Sequence, residues 1–451
     1  MSIKNTSLAY EQIDNIFRSS KRIFIMGIGG ISMYSIAKFC VKNGKTVFGY
    51  DSTRNSLSAA LENECHIKYC STPDSVKSMD FAIYTNAIKE TLFEFTEAKK
   101  QGIPLISRAN FLGYIMSKYK NRIGIAGMHG KSTTTTMIGE IFDYAKKEPT
   151  VFCGAEMIKY DSPLLDGGND YFICECCEYL DSFLSLCPSQ CVITNIDFDH
   201  PDYFKNENQI LRSFREFINK GENVFINGDN PLCSKLSHKN IIRCGFDKRC
   251  DYVSKIDEKA LNTFEVFYKG ESLAKIDLPF YGKHFILDAT LAFAIAHQSS
   301  IAPQVIAKAL SQLKGTKRRM EFIKKLDTGA PLFEDYGHHP EEIKATLDAL
   351  ISQGYSNVLC VFQPHTFSRS YYLLDRFKVC FRGAKKTIFT KTYSAREENV
   401  FGISDTELAI MCGAEYIDDY EKIANIISNG GFDAVVIMGA GDIWKIKELF
   451  V

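Results

Sequence analysis

The sequence predicts an α/β protein of three domains, each a mostly parallel sheet with flanking helices. Three segments, at 22–44, 122–145 and 434–450, each run from an apolar strand through a glycine-containing turn into an amphipathic helix. Strands that alternate with helices in this way are typical of parallel sheets covered by helices. The chain has 451 residues, whereas one domain usually takes roughly 100–200, so the three segments are expected to open separate domains.

Composition and charge exclude several classes of protein. Lys+Arg and Asp+Glu both number 54, so the formal net charge is zero, and the basic excess of a nucleic-acid-binding protein is missing. No segment approaches the ~20 apolar residues of a membrane span. The N-terminal segment is polar and lacks the apolar core of a signal peptide. We therefore expect a cytoplasmic protein with no nucleic-acid partner and no membrane insertion.

The cysteines are expected to be free thiols. There are 15, scattered along the chain and odd in number, which disfavours a disulfide framework. The densest cluster is Cys174–Cys177, in the segment "CECC". A structural zinc site would need a second Cys/His pair at matching spacing, and the sequence offers none. The cluster is therefore interpreted as cysteines of a buried strand, with no role assigned to it.

The first glycine turn follows the apolar strand that begins at Arg22. It contains Gly27, Gly29 and Gly30, and Ile31 opens the following helix. The next strand ends at Asp51, where a ribose-binding acid of a dinucleotide fold belongs. A serine replaces the third glycine of that fingerprint. Taken alone, this turn leaves a nicotinamide oxidoreductase open, but that interpretation does not explain the second glycine loop.

The second glycine loop has the composition of a phosphate site. The segment "GIAGMHGKSTTTT" contains Gly127, Gly130, Lys131 and Ser132, and Thr133 continues into a helix. Small residues let backbone N–H groups converge on phosphate oxygens, the lysine adds charge, and the hydroxyl binds Mg²⁺. The strict loop pattern is not met, because an isoleucine holds the first glycine position. We expect nucleoside triphosphate binding here; the alternative is a helix N-cap with an exposed lysine.

Two later segments offer oxygen and imidazole ligands for Mg²⁺. Apolar strands in 171–183 and 191–204 end in acidic residues and a histidine, which are Glu175, Glu178, Asp197, Asp199 and His200. The carboxyl ends of strands in open α/β sheets are where ligands bind, and Mg²⁺ prefers hard oxygen donors. Each residue alone would be interpreted as a solvated loop charge. Together with the phosphate loop they predict a metal site.

Seven motifs, in this order, resemble the Mur ligase family. They are "GMHGKSTTTT", "CEYLDSF", "TNIDFDHPDYF", "KRRMEF", "EDYGHHPEE", "FQPHTFSRS" and "MGAGDI". The resemblance runs from about Arg22 to the C-terminus. It is closest to the branch that uses L-alanine, in its Gram-positive form, and "DYGHHP" with "FQPHTFSR" is specific to that branch.

The resemblance implies a function for each domain. Residues 1–118 would form a Rossmann-like domain that binds a UDP-sugar. Residues 119–313 would form a P-loop-type central domain that binds ATP. Residues 314–451 would form a Rossmann-like domain that admits the amino acid. The cuts fall in the polar segment 117–122 and the basic segment 313–322.

The resemblance also implies the reaction. L-Alanine would be joined to UDP-N-acetylmuramic acid in peptidoglycan precursor synthesis, with ATP and Mg²⁺ as cofactors and an acyl phosphate as intermediate. Lys131 would lie along the β- and γ-phosphates. Ser132, Glu178 and His200 would be metal ligands. Two cations between phosphate and carboxylate would offset their repulsion.

The third domain would hold the amino acid. Tyr336, His338 and Arg369 match the motifs "DYGHHP" and "QPHTFSR", and a planar guanidinium suits the two oxygens of the alanine carboxylate. Arg319 matches a family arginine near the nucleotide, where it would stabilise the transferring phosphate. The alternative for Arg319 is a solvated basic linker.

The resemblance assigns the remaining site residues less firmly. The first glycine turn would take the UDP diphosphate, and the further residues proposed for the sugar nucleotide are Asp51, Ser107 and Arg108. His129 matches the ATP loop, with packing as the alternative. Phe285 and Asp288 stand where the family's adenine segment has asparagines. An ionised Asp288 offers acceptors only, so it could accept a hydrogen bond from the exocyclic amine of adenine but could not donate one to a ring nitrogen.

Three matters stay open at this stage. A Mur-type ligase that attaches a peptide to the same sugar nucleotide is the nearest alternative. A non-catalytic nucleotide-binding paralogue is the other, and it is motivated by the departures at 285 and 288. The sequence does not separate alanine from glycine or serine, because one small group discriminates weakly, and it does not give the oligomeric state.

Overall fold

The fold is taken from a computed structural model that describes residues 3–200, 203–395 and 397–450. The chain divides into two compact units. The first unit contains residues 1–196 and 211–243, and the second contains residues 197–210 and 244–451. Three sheets are distributed over the described residues.

The first sheet belongs to the first unit and is entirely parallel, in the order β3-β2-β1-β4-β5. Its strands are β1 Arg22–Met26, β2 Thr46–Tyr50, β3 His66–Lys68, β4 Phe81–Tyr84 and β5 Leu105–Ser107. Its helices are α1 Tyr10–Ser19, α2 Ile31–Lys42, α3 Ser56–Leu61, α4 Phe93–Gln101 and α5 Arg108–Ser117.

The strand order of this sheet places the first glycine turn at a ligand-binding position. From β1 the chain continues to β2 and β3 on one side, and then crosses to β4 and β5 on the other side of β1. Such a switch point, here between β1 and β4, leaves a crevice at the carboxyl ends of the strands. The turn of 27–30 follows β1 at that edge. Strands β1 and β4, at the centre of the sheet, are buried along almost their whole length, as continuous apolar runs in parallel sheets usually are,.

The second sheet contributes six strands to the first unit, in the order β8-β7-β9-β6-β10-β11. They are β6 Asn121–Ala126, β7 Thr150–Met157, β8 Ser162–Leu165, β9 Tyr171–Glu175, β10 Gln190–Ile193 and β11 Asn223–Asn227. The accompanying helices are α6 Lys131–Tyr144 and α7 Glu207–Ile218, and one division between the units falls within α7, after residue 210. Only the β7–β8 pair is antiparallel. The strand that feeds the phosphate loop, β6, lies between β9 and β10, so the residues that follow all three strands meet at one edge.

The division between the units falls within the next strand, and the second unit begins with an antiparallel meander. The elements are β12 Ile241–Gly245, β13 Tyr252–Asp257, β14 Ala260–Tyr268, β15 Glu271–Asp277, α8 Lys283–Gln298 and α9 Pro303–Ser311. The β14–β15 hairpin turns at Lys269 and Gly270, both with positive φ. Two such residues match the right-handed twist of the strands. This meander is the main departure from parallel pairing.

The third sheet lies in the second unit, in the order β16-β17-β21-β18-β19-β20, with β16 antiparallel and the rest parallel. Its strands are β16 Glu321–Lys325, β17 Pro331–Asp335, β18 Val358–Phe362, β19 Lys386–Phe389, β20 Glu415–Tyr416 and β21 Ala434–Met438. Its helices are α10 Pro340–Ser352, α11 Phe367–Tyr372, α12 Leu374–Cys380, α13 Asp405–Met411, α14 Tyr420–Asn429 and α15 Lys445–Glu448.

The predicted fold class is confirmed: three mostly parallel sheets carry helices on their faces. Each of the three segments singled out in the sequence runs from a strand through a turn to a helix. The boundaries at 118/119 and 313/314 stay predictions. Among the described residues, no helix combines the length and apolar character needed to cross a bilayer.

Candidate active site

The phosphate loop connects β6 to α6 and depends on two glycines. Gly127 and Gly130 have φ of +144° and +79°, conformations that side-chain-bearing residues rarely adopt,. A Cβ added to Gly127 would lie 2.1 Å from Thr194 Oγ1. The loop can therefore pass this closely beneath the end of β10 only with glycine at that position.

Side chains from the end of β10 fix the backbone of His129. The His129 N–H donates to Asn195 Oδ1 at 3.0 Å, and Asn195 Nδ2 donates to the His129 carbonyl at 2.9 Å. Thr194 Oγ1 donates to the same carbonyl at 2.5 Å. Three hydrogen bonds to the backbone of one residue hold the loop in a single shape, which is what a preorganised phosphate site requires.

Lys131 is a cation held at the first turn of α6, with its side chain 14% exposed. Its Nζ donates to the carbonyls of Gly127 and Met128 at 2.6 and 3.1 Å, and it lies 3.1 Å from Glu178 Oε2. Burial by itself would lower the pKa of Lys131, but the carboxylates of Glu178 and Glu175 outweigh it and raise that pKa,. The lysine is therefore charged at neutral pH and available to a polyphosphate.

Ser132 contacts the other acid of this edge. Its Oγ donates to Glu175 Oε2 at 2.7 Å, and the same oxygen accepts from the Gly154 N–H at 2.9 Å. Glu175 is the last residue of β9. The two acids thus divide the loop: Glu175 pairs with the hydroxyl of Ser132, and Glu178 pairs with the ammonium of Lys131.

The turn after Glu178 has an unusual backbone. Leu180 and Asp181 have φ of 55° and 53°, the left-handed region that costs a non-glycine residue roughly 1–2 kcal/mol. The Asp181 N–H donates to the Glu178 carbonyl at 3.0 Å, and the Phe183 N–H donates to the Cys177 carbonyl at 2.9 Å. Such conformations persist where the surrounding structure determines them, often at functional sites.

The cysteine cluster lies at the end of β9 and behaves as strand residues do. Cys174 and Cys176 are buried, and all fifteen cysteines of the chain are free thiols. The Cys176 N–H donates to the carbonyl of Ile125 at 2.7 Å, which extends the pairing between β9 and β6. Burial raises the pKa of the Cys177 thiol, so it is protonated at neutral pH.

The first glycine turn is held by polar side chains of its own sheet. The Gly29 N–H donates to Asp51 Oδ2 at 2.8 Å, and Asn55 Nδ2 donates to the Gly29 carbonyl at 3.1 Å. Gly27 has φ of +83°, and Gly30 precedes the first residue of α2, Ile31. Asp51 therefore fixes the turn, in addition to any contact it makes with a nucleoside.

Ser107 and Arg108 lie at the start of α5. The Ser107 side chain is fully buried, caps α5 by accepting from Asn110 N at 3.3 Å, and also accepts from the Thr6 N–H at 3.0 Å. The Arg108 guanidinium donates to Ser32 Oγ at 3.4 Å, next to the first glycine turn. The Ser107 side chain therefore stabilises the start of α5, and the Arg108 side chain extends toward the first glycine turn.

In the second unit, Arg369 forms a buried ion pair with Asp199. Nε of Arg369 lies 3.0 Å from Asp199 Oδ1, and both side chains are less than a tenth exposed. Burial would raise the pKa of Asp199, but His200 and Arg369 hold it well below its usual range. Arg369 also lies 3.1 Å from His365 Nδ1. The segment that carries His200 is thereby tied to the helix that carries Arg369.

Rings surround this arginine. His338 and His365 meet edge to face with centroids 5.5 Å apart, Tyr336 packs 5.5 Å from His338, and Tyr393 stacks on His365 at 5.5 Å. Burial lowers the pKa of His338 well below its ordinary value, and burial with the charge of Arg369 lowers that of His365 to about 4. Both imidazoles are therefore neutral at pH 7 and are weak bases, because the same burial disfavours their protonated forms.

The two adjacent arginines have different environments. Arg318 donates to Glu334 Oε1 at 2.7 Å and to the Gly439 carbonyl at 2.6 Å, which makes it a structural cation. Both guanidinium groups lie over the Tyr336 ring, Arg318 at 4.8 Å and Arg319 at 5.1 Å, and Arg319 is also 3.5 Å from Glu342. Arg319 is thus held against the ring of the predicted amino-acid pocket.

A buried carboxyl braces both sides of this pocket. Asp335, the last residue of β17, accepts from the N–H of Met320 at 2.8 Å and of Gly337 at 2.6 Å. Those N–H groups follow Arg319 and precede His338 in the chain. Burial raises the pKa of Asp335 to about 6, so its charge depends on the arginine nearby and on these two donors.

Asp288 and Phe285 lie on α8 in an apolar setting. Phe285 stacks on Phe280 at 5.2 Å and packs 4.3 Å from the ring of His284. Asp288 is 6% exposed. Burial lowers the pKa of His284 to about 4. The segment is a well-packed part of α8.

Family models match most of the chain. A Mur ligase family catalytic-domain model matches residues 22–120, a Mur ligase middle-domain model matches 125–296, and a Mur ligase glutamate-ligase-domain model matches 318–441. The chain belongs to the Mur ligase family.

Individual relatives of the Mur ligase family cover nearly the full length. A UDP-N-acetylmuramate–L-alanine ligase of Caldanaerobacter subterraneus subsp. tengcongensis is 37% identical, over 96% of this chain and 97% of its own. The same-named ligase of Clostridium acetobutylicum is 36% identical, over 96% and 98%. Both relatives are named as ligases that use L-alanine.

Solved structures agree on the fold. The UDP-N-acetylmuramate-alanine ligase of Thermotoga maritima superimposes with a TM-score of 0.82 at 22% identity, covering 95% of this chain and 98% of that one. A murein peptide ligase from Psychrobacter arcticus gives a TM-score of 0.71 at 21% identity, with coverage of 95% and 98%. Both are similar in fold to this Mur ligase.

The structure groups the predicted residues of this Mur ligase into three sets. Gly127, His129, Gly130, Lys131, Ser132, Thr133 and Glu178 lie together at the carboxyl edge of the second sheet. Gly27, Gly29, Gly30, Ile31, Asp51 and Arg108 lie around the first glycine turn. Tyr336, His338, Arg319, Arg369 and the segment with His200 lie in the second unit.

Sequence reasoning missed the contact roles of three residues. Glu175 was recognised as an acid at a strand end, but Glu178 was predicted as the metal ligand, and the contact of Glu175 with Ser132 was not predicted. Asn195 and Asp335 act through backbone N–H groups. A polar residue that directly follows or ends an apolar strand is the signal that could have found all three.

Proposed function

We propose that this Mur ligase joins L-alanine to UDP-N-acetylmuramic acid at the expense of ATP, through an acyl phosphate, in peptidoglycan precursor synthesis. The observation that carries the proposal is the phosphate loop with Lys131 and Ser132 each paired to a buried or half-buried carboxylate. The near-full-length relatives named as L-alanine ligases supply the substrates. The chemistry of the residues then accounts for each half of the reaction.

The first half transfers a phosphoryl group to the lactyl carboxylate. Both reactants are anions, so charge neutralisation and alignment matter more than covalent help from the protein. The Lys131 ammonium neutralises the β- and γ-phosphates, and the backbone of 127–131 orients them. Arg319 offers a second cation for the charge that develops on the transferring group.

The oxygen donors beside the loop fit Mg²⁺. Ser132 supplies a hydroxyl, and Glu175 already accepts its hydrogen bond at 2.7 Å, so both oxygens are hard donors of the kind this ion prefers. Glu178 and His200 are the further candidates that the family resemblance supplies. When bound, the ion supplies charge neutralisation between phosphate and carboxylate. The contact with Ser132 favours Glu175 over Glu178 as the carboxylate ligand.

In the second half, the alanine amine attacks the acyl phosphate: the C–N bond forms, the C–O bond to phosphate breaks, and inorganic phosphate is released. Arg369, which pairs with Asp199 in this structure, exchanges that carboxylate for the carboxylate of alanine, for which its planar fork has the right shape. His338 and His365 are neutral at pH 7 because burial disfavours their charged forms. The departing phosphate can take the proton that the amine releases as the C–N bond forms, because the lowered pKa values make both imidazoles weak bases,. Tyr336 and Arg319 form the wall of this pocket.

The sugar nucleotide is assigned to the first sheet. Backbone N–H groups of the turn at 27–30 and the N-terminus of α2 suit the diphosphate. Arg108, which extends toward that turn, adds a cation. Asp51 holds the turn through Gly29. Ser107 keeps α5, and with it Arg108, in place.

The test is product formation by purified protein with UDP-N-acetylmuramic acid, Mg²⁺-ATP and one acceptor at a time: L-alanine, glycine, L-serine or a tripeptide. ADP should form only when sugar nucleotide and amino acid are both present, with L-alanine giving the highest kcat/KM. Loss of one methyl group in the acceptor is expected to cost about tenfold or more.

Two outcomes would replace this proposal. Turnover with the tripeptide but not with alanine would make the protein a peptide-attaching Mur ligase. Tight ATP binding with no product from any acceptor would make it a non-catalytic paralogue.

A further inference from the structure

A segment of residues 3–9, here called the N-terminal strap, lies outside the part of the chain that the family models match, which begins at residue 22. The strap makes side-chain and backbone hydrogen bonds to two different parts of the first unit. One part is the start of α5, next to Arg108. The other is the left-handed turn that follows Glu178.

The first end of the connection is the cap of α5. The Thr6 N–H donates to Ser107 Oγ at 3.0 Å, and Thr6 Oγ1 donates to Asn110 Oδ1 at 2.9 Å. Asn110 also bonds both backbone groups of Leu8, at 2.9 and 3.0 Å. Together with the Ser107 N–H, which donates to Thr6 Oγ1 at 2.9 Å, these hydrogen bonds fix the strap to the residues that position Arg108.

The second end is the turn after Glu178. Asn5 Nδ2 donates to the Leu180 carbonyl at 3.2 Å and to Ser182 Oγ at 3.3 Å. Leu180 and Asp181 both have left-handed backbones, which require support from their surroundings. Asn5 supplies that support directly at Leu180, two residues after Glu178.

We propose that Asn5 is a positioning residue of the ligase reaction. It joins the Ser107–Asn110 cap, which carries Arg108, to the turn that aims Glu178 at Lys131. Order gained at the sugar-nucleotide domain when that substrate binds is thereby passed to the phosphate loop. The inference rests on the roles proposed for Lys131, Glu178 and Arg108.

Coupling of this kind is a free energy shared between two sites, and it is reciprocal. If the strap carries it, the sugar nucleotide tightens binding of Mg²⁺-ADP, and Mg²⁺-ADP tightens binding of the sugar nucleotide by the same factor. Removing the amide of Asn5 weakens the link without removing any group that touches a substrate.

The experiment compares Asn5→Ala with wild type and with Tyr84→Phe. The Tyr84 hydroxyl donates to the Lys4 carbonyl at 2.7 Å, so Tyr84→Phe also removes a hydrogen bond from the strap but leaves the turn untouched. Asn5→Gln keeps the amide one methylene further out. The readouts are Tm, kcat, the KM for each substrate, and the Kd of Mg²⁺-ADP with and without saturating sugar nucleotide.

Asn5→Ala should lower kcat about five- to tenfold, the factor that corresponds to one ordinary hydrogen bond. The sugar-nucleotide effect on the Kd of Mg²⁺-ADP should shrink by a similar factor. Tyr84→Phe should lower Tm comparably while leaving kcat and that effect within twofold of wild type. Asn5→Gln should recover part of both losses.

The proposal is overturned if Asn5→Ala and Tyr84→Phe change only Tm, since the strap would then act on stability alone. It is also overturned if both variants lower kcat equally. Failure of the proposed function looks different: wild type itself would then form no product with alanine, or Lys131→Ala would retain full activity.

Discussion

Lys131 shows how one residue links burial to chemistry. A buried ammonium is costly unless it is paired, and here the pairing comes from Glu178, with Glu175 nearby. A polyphosphate brings far more negative charge than those carboxylates, so Lys131 can exchange partners when ATP binds. The same reasoning separates the two acids, because Glu175 accepts a hydrogen bond from the hydroxyl of Ser132 and Glu178 pairs with the ammonium of Lys131.

Replacing Lys131 with alanine should abolish turnover while leaving the affinity for UDP-N-acetylmuramic acid within about twofold, because that substrate is assigned to the first sheet. Isothermal titration with the sugar nucleotide and a steady-state assay measure the two quantities. Retention of substantial activity, or a large loss of sugar-nucleotide affinity, would contradict the assignment.

The metal assignment can be decided by comparing Glu175→Gln with Glu178→Gln. If Glu175 shares the metal with Ser132, Glu175→Gln should raise the Mg²⁺ concentration for half-maximal activity by about 10- to 100-fold, the range seen when metal-site partners are removed. Glu178→Gln should mainly lower kcat. The reverse pattern in a Mg²⁺ titration would restore Glu178 as the ligand.

At the scale of elements, helix α5 and the turn at 179–185 approach more closely than side chains would allow. An added Cβ on Gly113 would lie 2.0 Å from the Ser185 carbonyl oxygen and 2.7 Å from the Tyr10 hydroxyl. The Tyr10 hydroxyl itself donates to that carbonyl at 2.7 Å. Helix α5 of the first sheet and the turn at 179–185 of the second sheet are thus in direct contact at Gly113, and the strap connects them at a second point.

Gly113→Ala should therefore destabilise the protein by about 1–3 kcal/mol, the usual cost of overpacking, because the obstructing atom is backbone and cannot rotate away. The free energy of unfolding in urea measures it. Gly168→Ala is the matched control, since its nearest neighbour atom lies 3.5 Å from the added Cβ. Equal effects of the two changes would show that the close approach at Gly113 is not maintained in solution.

At the scale of the whole molecule, stability should depend on pH through buried histidines. The folded-state pKa values of His284 and His365 are lowered to about 4, and that of His338 is also lowered, well below its ordinary value. Between pH 6.5 and 4 the unfolded chain binds protons at these positions and the folded chain does not, so stability falls as pH falls. Asp335, raised to about 6, acts in the opposite direction but is a single group.

The expected result is a Tm that decreases between pH 7 and pH 4.5, measured by calorimetry at constant ionic strength. His284→Gln should flatten this dependence, because it removes one group that only the unfolded chain protonates. A Tm that rises on acidification through the same window would show that these imidazoles are not held neutral.

Local sequence patterns predicted some elements of the fold and missed others. The three strand–turn–helix segments and the glycines at 127 and 130 were predicted because local patterns specify them: apolar strands, helix starts and positive φ. The β14–β15 hairpin was not predicted, although Lys269-Gly270 is a local two-residue turn signal. Its antiparallel pairing was missed because the expectation of parallel sheets was applied to the whole chain.

Contacts between distant residues had no such local signal. Asn5 and Leu180 are 175 positions apart, and Asp199 and Arg369 are 170 apart. No periodicity or spacing in the sequence indicates that these residues are neighbours. Each contact forms because the tertiary fold brings the two segments together.

The sequence by itself determined the fold class, the phosphate loop and the family, because each depends on residue types at short, fixed spacing. Only the tertiary structure decided that Glu175 meets Ser132, that Glu178 meets Lys131, and that two histidines beside Arg369 are neutral. The reason is physical: charge pairing and desolvation depend on distance and burial, and both are set by how the sheets pack rather than by the order of residues along the chain.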